Sequence, residues 1–279
     1  MKSFANKVAA ITGAGSGMGR TLALALARRQ CHLALSDVNE EGLAETARQA
    51  SALGVKVTTA RVDVAKRDQV YAWADEVVRD HGKCNLIFNN AGVAHSASIE
   101  GTSYDDFEWI MGINFWGVVH GTKAFLPHLK ASGDGHIINL SSLFGLVAIP
   151  SQSTYNATKF AVRGYTESLR QELELSGVPV SATCVHPGGI RTNIAKAARV
   201  DESLKDLGVT NLERSRKGFE KMLGMPPEKA AEIILKGVQR NARRVLVGRD
   251  AQALDVLQRI LPGTYQRLVT ASARRTMMR

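Results

Sequence analysis

Short apolar runs alternate along the chain with longer segments whose apolar positions repeat with a helical period. The runs KVAAIT, CHLALS, VKVTTARV, NLIFNN, HIINLS and VSATCV are each followed by a helical pattern of a dozen residues or more. A seventh run, RVLVG at 244–248, follows PPEKAAEIILKGVQR, whose prolines suit a helix start. Strands that are apolar on both faces and separated by helices predict a doubly wound α/β fold, with about seven parallel strands and helices on both faces.

The alternation contains no linker-like stretch, internal repeat or low-complexity segment. A chain of 279 residues is long enough to bury a full core. We therefore predict a single domain over residues 1–279.

Cysteine and histidine usage argues against secretion and against a bound metal. The three cysteines lie far apart, form no CxxC motif and lie in or beside apolar runs, so they are predicted to be core thiols in a reducing compartment. The seven histidines form no HExxH motif or Cys/His cluster, so no metal site is expected. Lys7 interrupts the early apolar stretch, and no run approaches the roughly 18 apolar residues of a membrane span. The sequence predicts a soluble, cytoplasmic protein.

The formal charge of +10 is concentrated in the C-terminal third. Residues 1–192 contain 18 Lys and Arg against 17 Asp and Glu, whereas residues 193–279 contain 18 against 9. Such a segment could attract nucleic acid, an anionic membrane surface or an acidic substrate. Because no aromatic residues interleave with these charges, solvated basic helix faces are the favoured interpretation and no nucleic-acid partner is expected.

A glycine-rich loop, TGAGSGMG at 12–19, joins the first predicted strand to the first helix. It departs from the dinucleotide fingerprint GxGxxG, because Met18 and Arg20 occupy the position of the third glycine in its two registers. Glycines let the backbone turn sharply and approach a pyrophosphate, and the start of the next helix favours an anion. Glycine-rich turns of this kind also occur without a ligand, so the loop alone leaves phosphate binding open.

An acidic residue follows the second strand, where dinucleotide folds place one against the adenosine ribose. Asp37 lies about 20 residues after the glycine loop. The alternative is a capping box, since Glu40 follows three residues later. A carboxylate at this place would repel a ribose 2′-phosphate, which favours NAD over NADP.

A tyrosine and a lysine stand four residues apart at the start of a helical segment. Tyr155 and Lys159 therefore project from one face. A free tyrosine, with a pKa of about 10, is a poor base at neutral pH, but an adjacent ammonium and a cationic nicotinamide would lower that pKa. Such a pair can move a proton while a cofactor moves a hydride. Pairs with this spacing also occur on solvated helices, so the spacing alone does not decide.

Taken together, these motifs resemble those of the classical short-chain dehydrogenase/reductase family. The family's cofactor motif TGxxxGxG is matched in full within residues 12–19. Other family motifs follow in order over residues 7–192: Asp63, Asn89-Asn90-Ala91-Gly92, Asn114, Ser142, YNATK at 155–159, Pro187-Gly188 and Thr192. The resemblance implies a Rossmann fold with a cofactor-binding and catalytic core at 7–192, a substrate lid at 193–226, and C-terminal helices and the last strand at 227–279.

The resemblance implies four catalytic residues. Tyr155 would be the general acid/base, and Lys159 would bind the nicotinamide ribose and lower the pKa of that tyrosine. Ser142 would hydrogen-bond the reacting oxygen, with Ser141 as the alternative. Asn114 would hold a water that links the lysine to solvent.

The resemblance also implies contacts to a dinucleotide. Besides Tyr155 and Lys159, the implied contacts are Gly13, Ser16, Gly17, Met18, Gly19, Asp37, Asp63, Val64, Asn90, Ala91, Gly92, Pro187, Gly188, Ile190 and Thr192. NADP-using relatives commonly carry a basic residue where this chain has Ser16, which again favours NAD. Simpler roles remain open for two positions: Asp63 as a helix cap and Asn89 as a strand-end hydrogen bonder.

The implied function is hydride transfer between a nicotinamide cofactor and a secondary alcohol or ketone. The chain lacks the GxSxG elbow of a hydrolase, and sugar epimerases and dehydratases, which also use YxxxK, usually space their glycines differently. A non-catalytic dinucleotide sensor or scaffold is the alternative from another class, and a nucleic-acid binder is a second. The paired acids Asp105 and Asp106 follow Thr102-Ser103 and fit a helix N-terminus better than a catalytic pair.

The last third of the chain carries the least specific signals. Residues 193–226 match no motif, and their mixed charges suit a mobile helical lid. The apolar-faced segment at 251–269 is hypothesised to shape a lipophilic substrate pocket or a subunit contact. The resemblance also implies a homo-oligomer, either a dimer or a tetramer.

Overall fold

Seven of the strands form one parallel sheet, as predicted. The computed structural model describes residues 1–277, so the last two residues of the predicted C-terminal segment lie outside the described residues. In chain order the strands are β1 (Val8–Thr12), β2 (His32–Asp37), β3 (Val57–Arg61), β4 (Leu86–Asn89), β5 (His95–Ser96), β6 (Gly135–Leu140), β7 (Val180–Pro187), β8 (Arg199–Val200) and β9 (Arg244–Val247). The large sheet has the order β3-β2-β1-β4-β6-β7-β9. The strand order reverses between β1 and β4, and ligands of doubly wound sheets bind outside the strand ends at such a point.

Helices cover both faces of this sheet. They are α1 (Gly17–Ala27), α2 (Glu40–Ser51), α3 (Arg67–His81), α4 (Tyr104–Met111), α5 (Gly117–Ala131), α6 (Ser153–Leu175), α7 (Leu212–Met222), α8 (Pro227–Gln239), α9 (Arg249–Ile260) and α10 (Tyr265–Met277). Alternate residues of β1 enter different cores: Ile11 packs with Leu26 of α1 and Ile234 of α8, whereas Ala10 packs with Phe125 of α5. Burial on both faces explains why the strands read as continuous apolar runs.

A second, two-stranded sheet was not anticipated. β5 and β8 pair in parallel and join the loop after β4 to the segment after β7. Arg199 of β8 also reaches α4, where its Nη1 lies 2.7 Å from Asp106 Oδ1. Ser103 caps α4 by accepting a hydrogen bond from the Asp106 amide at 3.0 Å, so the helix-start interpretation of this acidic pair is confirmed.

The three cysteines lie in the core as free thiols. Burial raises the pKa of each thiol to about 12, which keeps them protonated and unreactive at neutral pH. Between residues 1 and 277, no helix combines the length and the apolar character needed to cross a bilayer.

Candidate active site

A cavity of about 930 Å³ opens along the carboxyl ends of the strands. The predicted site residues that line it are Gly13, Ser16, Gly17, Met18, Asp37, Asp63, Val64, Asn90, Ala91, Gly92, Ser142, Tyr155, Lys159, Pro187, Gly188, Ile190 and Thr192. Two predicted residues, Gly19 and Asn114, are outside its lining. Folding therefore brings together residues that are almost 180 positions apart in the chain.

The glycine loop has the shape of an anion cradle. Gly13 and Gly17 adopt positive φ angles of 65° and 50°, and a Cβ on Gly13 would lie 2.8 Å from the Ala91 Cα. Ser16, the N-cap of α1, makes no capping hydrogen bond with its side chain, so it leaves the first amides of the helix to another acceptor. These features fit a dinucleotide pyrophosphate.

Gly19 packs against the backbone of the glycine loop and does not line the cavity. A Cβ at this position would overlap the Gly13 carbonyl, so a glycine is required for the helix to pack against the loop. The expectation that Gly19 lines the pyrophosphate is corrected: its role is the close approach of two backbone segments.

Asp37 ends β2 with its carboxylate turned towards the glycine loop. Its Oδ2 accepts the Gly15 amide at 2.8 Å and its Oδ1 accepts the Asn39 amide at 2.9 Å. Asn39 is the N-cap of α2 and accepts the Gly42 amide at 3.0 Å. The capping-box alternative for Asp37 is therefore wrong, and its carboxylate faces the cavity.

Asp63 and Val64 follow β3 at the same edge. Asp63 Oδ1 accepts the Ala65 amide at 3.0 Å, whereas the N-cap of α3 is Lys66. The helix-cap alternative for Asp63 is also wrong. Both residues line the cavity beyond Asp37, as an adenine site would require.

Asn90 joins the loop after β4 to the end of β1. Its Nδ2 donates to the carbonyl oxygens of Thr12 at 2.9 Å and Gly13 at 3.1 Å. Thr12 Oγ1 in return accepts the amides of Asn90 and Ala91, each at 3.0 Å. These bonds fix the two loops across the point where the strand order reverses.

Asn89 points away from the cavity. Its Nδ2 donates to Asn139 Oδ1 at 2.8 Å and to Thr122 Oγ1 at 3.2 Å. The interpretation of Asn89 as a strand-end hydrogen bonder is the one that the geometry supports.

Ser142 and Tyr155 meet beyond the end of β6. Burial raises the pKa of Tyr155 to about 12, although a hydrogen bond from the Ser142 side chain opposes this rise. Ser142 Oγ also accepts the Phe144 amide at 3.1 Å. Ser141 instead donates its hydroxyl to the Lys159 carbonyl at 2.8 Å, so the alternative that Ser141 takes the place of Ser142 is wrong.

Lys159 is buried beside this pair. Its Nζ donates to the Leu140 carbonyl at 3.0 Å and lies 5.5 Å from the centroid of the Tyr155 ring. Burial lowers the pKa of Lys159 to about 8. Burial is the largest cause of the raised Tyr155 pKa. The expected lowering of this pKa by Lys159 together with a cationic nicotinamide stays a prediction, because it requires the bound dinucleotide.

Asn114 lies behind the cavity wall, on a π-helical turn (Gly112–Trp116) between α4 and α5. Its Oδ1 accepts the Val93 amide at 2.8 Å, and its Nδ2 donates to the Val93 carbonyl at 2.9 Å and to Thr158 Oγ1 at 3.3 Å. A Cβ on Gly92 would lie 3.2 Å from Asn114 Oδ1 and 3.6 Å from Lys159 Nζ. Because the amide group is already engaged, a water relay through Asn114 would have to use its backbone carbonyl.

Sequence reasoning assigned the segment 251–269 to a substrate pocket or a subunit contact, but it did not name the individual residues that line the cavity. Beyond Ser142, Tyr155 and Lys159 the lining is mainly apolar and includes Leu143, Phe144, Leu254, Leu257, Leu268 and Val269. Tyr265 fastens α10 by accepting the Ala148 amide at 3.3 Å. The spacing of Leu254 and Leu257 on one helix face was the available signal.

Few charges face the cavity. In the described part of the chain, the charged side chains of the lining are Asp37, Asp63, Lys159 and Asp250. No group of three or more His, Cys, Asp or Glu among the described residues could hold a metal ion. The arrangement suits proton transfer beside a bound dinucleotide.

Comparisons with known proteins agree with this geometry. The short chain dehydrogenase family model matches residues 7–203. The chain is 52% identical over 272 residues to the protein named as oxidoreductase SadH of Mycobacterium tuberculosis, covering 97% of this chain and 96% of that protein. It is 36% identical over 251 residues to C alpha-dehydrogenase of Sphingobium sp., covering 88% and 82%. A solved short chain dehydrogenase/reductase from Burkholderia phymatum in complex with NAD is 31% identical, with a TM-score of 0.86 and coverage of 95% and 97%.

Proposed function

This chain belongs to the short-chain dehydrogenase family, and on that premise we propose that it is an NAD(P)-dependent oxidoreductase that interconverts a secondary alcohol and its ketone. The observation that carries the proposal is the meeting of Ser142, Tyr155 and Lys159 beside the glycine loop in one cavity. We further propose NAD as the preferred cofactor and a neutral, lipophilic substrate.

The dinucleotide, when bound, supplies the hydride acceptor for alcohol oxidation and the hydride donor for ketone reduction. Tyr155 takes the hydroxyl proton of the alcohol in one direction and returns a proton to the ketone oxygen in the other. Ser142, whose side chain opposes the rise in the Tyr155 pKa, would hold the same oxygen. Lys159, buried beside the tyrosine with its Nζ 5.5 Å from the ring centroid, would bind the ribose of the nicotinamide.

The preference for NAD rests on Asp37. Its two carboxylate oxygens are held by the amides of Gly15 and Asn39, so the charge stays at the ribose end of the cavity and repels a 2′-phosphate. Arg20 does not offset this charge for the ligand, because its guanidinium donates to the Gly42 carbonyl at 3.0 Å and to Thr46 Oγ1 at 2.9 Å.

The substrate class follows from the apolar end of the cavity. Leu254 and Leu257 of α9 and Leu268 and Val269 of α10 line it. An ionised substrate would lose its hydration there without a counter-charge, which is costly. A neutral apolar alcohol gains from the same surface, by about 25 cal/mol for each Å² of apolar area removed from water.

Self-association and a cytoplasmic location complete the proposal. Trp116 and Phe160, which are 50% and 38% exposed, follow Asn114 by two residues and Lys159 by one, and such aromatic side chains favour a subunit contact in a dimer or tetramer. Three buried free thiols suit a reducing compartment.

The test supplies NAD and NADP with a panel of secondary alcohols that ranges from small diols to steroids. The variant Tyr155→Phe keeps the ring that packs edge-on to Phe144 at 6.1 Å and loses the proton-transferring hydroxyl, so turnover should fall by a factor of about 10² to 10⁴. Tyr165→Phe is the matched control, since Tyr165 lies on the same helix and packs against Phe115 away from the cavity. It should retain the wild-type rate.

Other outcomes would redirect the proposal. NADH binding without turnover on any alcohol or ketone would favour the non-catalytic sensor or scaffold. Preference for NADP would overturn the argument from Asp37. Steeply salt-dependent binding to DNA or RNA, together with no NADH binding, would favour the nucleic-acid binder.

A further inference from the structure

Asp250, in the first turn of α9, packs against the segment 187–190 that follows β7. Its Oδ2 accepts the Gly189 amide at 2.6 Å. A Cβ on Gly188 or on Gly248 would overlap this carboxylate, so the group lies directly against backbone on two sides. The Asp250 side chain also lines the cavity.

The same segment is held elsewhere by backbone alone. The Gly188 amide donates to the Val247 carbonyl at 2.9 Å, and the Met225 amide donates to the Gly189 carbonyl at 3.0 Å. Those bonds follow from the path of the chain and from the pairing of β7 with β9. Asp250 adds a charged acceptor, whose hydrogen bond is stronger than one between neutral groups.

The contact of Asp250 matters because the segment 187–190 lies beside the residues of the candidate active site. β7 pairs with β6, so the segment lies beside the loop that carries Ser142. Gly188 and Ile190 line the cavity together with Tyr155. The reactive end of a bound dinucleotide must lie next to Tyr155, and therefore next to this segment.

We infer that Asp250 is a positioning residue for the nicotinamide half of the cofactor, acting through its hydrogen bond to the Gly189 amide. The inference rests on the proposed function, because it requires a bound dinucleotide. Asp250 fixes the backbone at 188–190, and that backbone fixes where the nicotinamide ring can lie relative to Tyr155.

A merely structural role is the competing explanation, since an acid in a first helical turn also stabilises its helix through the macrodipole. Asp68 provides the matched control. It lies in the first turn of α3, and its ion pair with Arg67 is almost fully exposed. Asp68→Ala removes the same kind of helix-start charge at a residue that does not line the cavity.

The experiment compares NADH with ADP-ribose, which lacks the nicotinamide ring, by calorimetric titration of the full chain. Asp250→Ala should weaken NADH binding about tenfold, as expected for one lost charge-assisted hydrogen bond, and leave the affinity for ADP-ribose unchanged. Asp250→Asn keeps an acceptor oxygen and should retain most of the NADH affinity. The fluorescence of bound NADH, which reports the surroundings of the nicotinamide, should change in the alanine variant alone.

Several results would overturn the inference. It fails if Asp250→Ala weakens both ligands equally, if it matches Asp68→Ala, or if Asp250→Asn loses as much affinity as alanine does. Wild-type protein that binds neither ligand would overturn the proposed function and this inference with it. Should Asp250→Ala not fold, Asp250→Ser, whose hydroxyl is on a shorter side chain, takes its place with the same expectations.

Discussion

Lowering the pH from 7 to 5 is expected to cost about 4 kcal/mol of folding stability, because two buried histidines stay neutral in the folded protein. His186 of β7 and His136 of β6 are fully buried. Burial lowers the pKa of His186 to about 4 and that of His136 to about 3, from 6.5. His186 Nδ1 lies 2.9 Å from the Ser142 carbonyl oxygen, and His136 Nε2 lies 2.8 Å from Thr183 Oγ1.

The sign follows from proton uptake on unfolding. Below pH 6.5 an unfolded histidine binds a proton, whereas His186 and His136 in the folded protein do not until the pH approaches 4 and 3. The stability is therefore present above pH 6.5 and is lost as the pH falls through that value. At about 1.4 kcal/mol per pH unit, each histidine accounts for about 2 kcal/mol between pH 7 and pH 5.

Urea unfolding followed by circular dichroism at pH 7, 6 and 5 measures this loss. In His186→Asn the amide nitrogen can still donate to the Ser142 carbonyl but does not titrate, so the loss between pH 7 and 5 should shrink by about half. His136→Gln should have a similar effect, and the double variant should remove most of the dependence. If both single variants show the pH dependence of the wild type, His186 and His136 are not its source.

Three further outcomes are expected. Arg199→Ala removes the ion pair with Asp106 at 2.7 Å and the stack over Trp109 at 3.6 Å. The substrate KM should rise about fivefold with little change in Tm, since exposed pairs add little stability. An unchanged KM in steady-state assays would contradict a role of Arg199 in holding the cavity wall. Asp37→Ser should lower kcat/KM for NAD about tenfold and raise it for NADP, and initial rates that keep the wild-type ratio would refute the repulsion argument. Leu268→Ala should lower kcat/KM for large apolar alcohols about threefold to tenfold while sparing small ones; an equal effect on both would show that α10 does not contact substrate.

The large sheet could be predicted because strands that are buried on both faces appear in the sequence as continuous apolar runs. Five of its strands are buried on both faces. The edge strand β9 alternates buried and partly buried residues, and β3, with the pattern VTTAR, was recognised from its β-branched residues although it is only partly buried. β5 and β8 do not appear in the sequence as apolar runs. Each has two residues, and Arg199 and Val200 are exposed, so neither hydrophobic periodicity nor length could identify them.

The site was predictable where short motifs end a strand or begin a helix. Tyr155 and Lys159 share a helix, and their spacing alone places them on one face. The direction of the Lys159 ammonium towards the Leu140 carbonyl is set by tertiary contacts, so the sequence alone could not place it. The role of Asp250 could not be predicted from the sequence either. Only the pairing of β9 with β7 brings this residue to Gly189, which is 61 positions away.

The first part of the predicted lid segment 193–226 is tied to the rest of the fold through β8. β8 is paired with β5, and His95 of β5 has its Nδ1 3.1 Å from Thr154 Oγ1, next to Tyr155 in sequence. Ser203 extends this attachment by accepting the Ser98 amide at 3.1 Å. Displacing Val200 would therefore break a β-ladder that is packed on α6. Val200 lines the cavity, so this part of the wall cannot separate from α6 without the loss of these bonds.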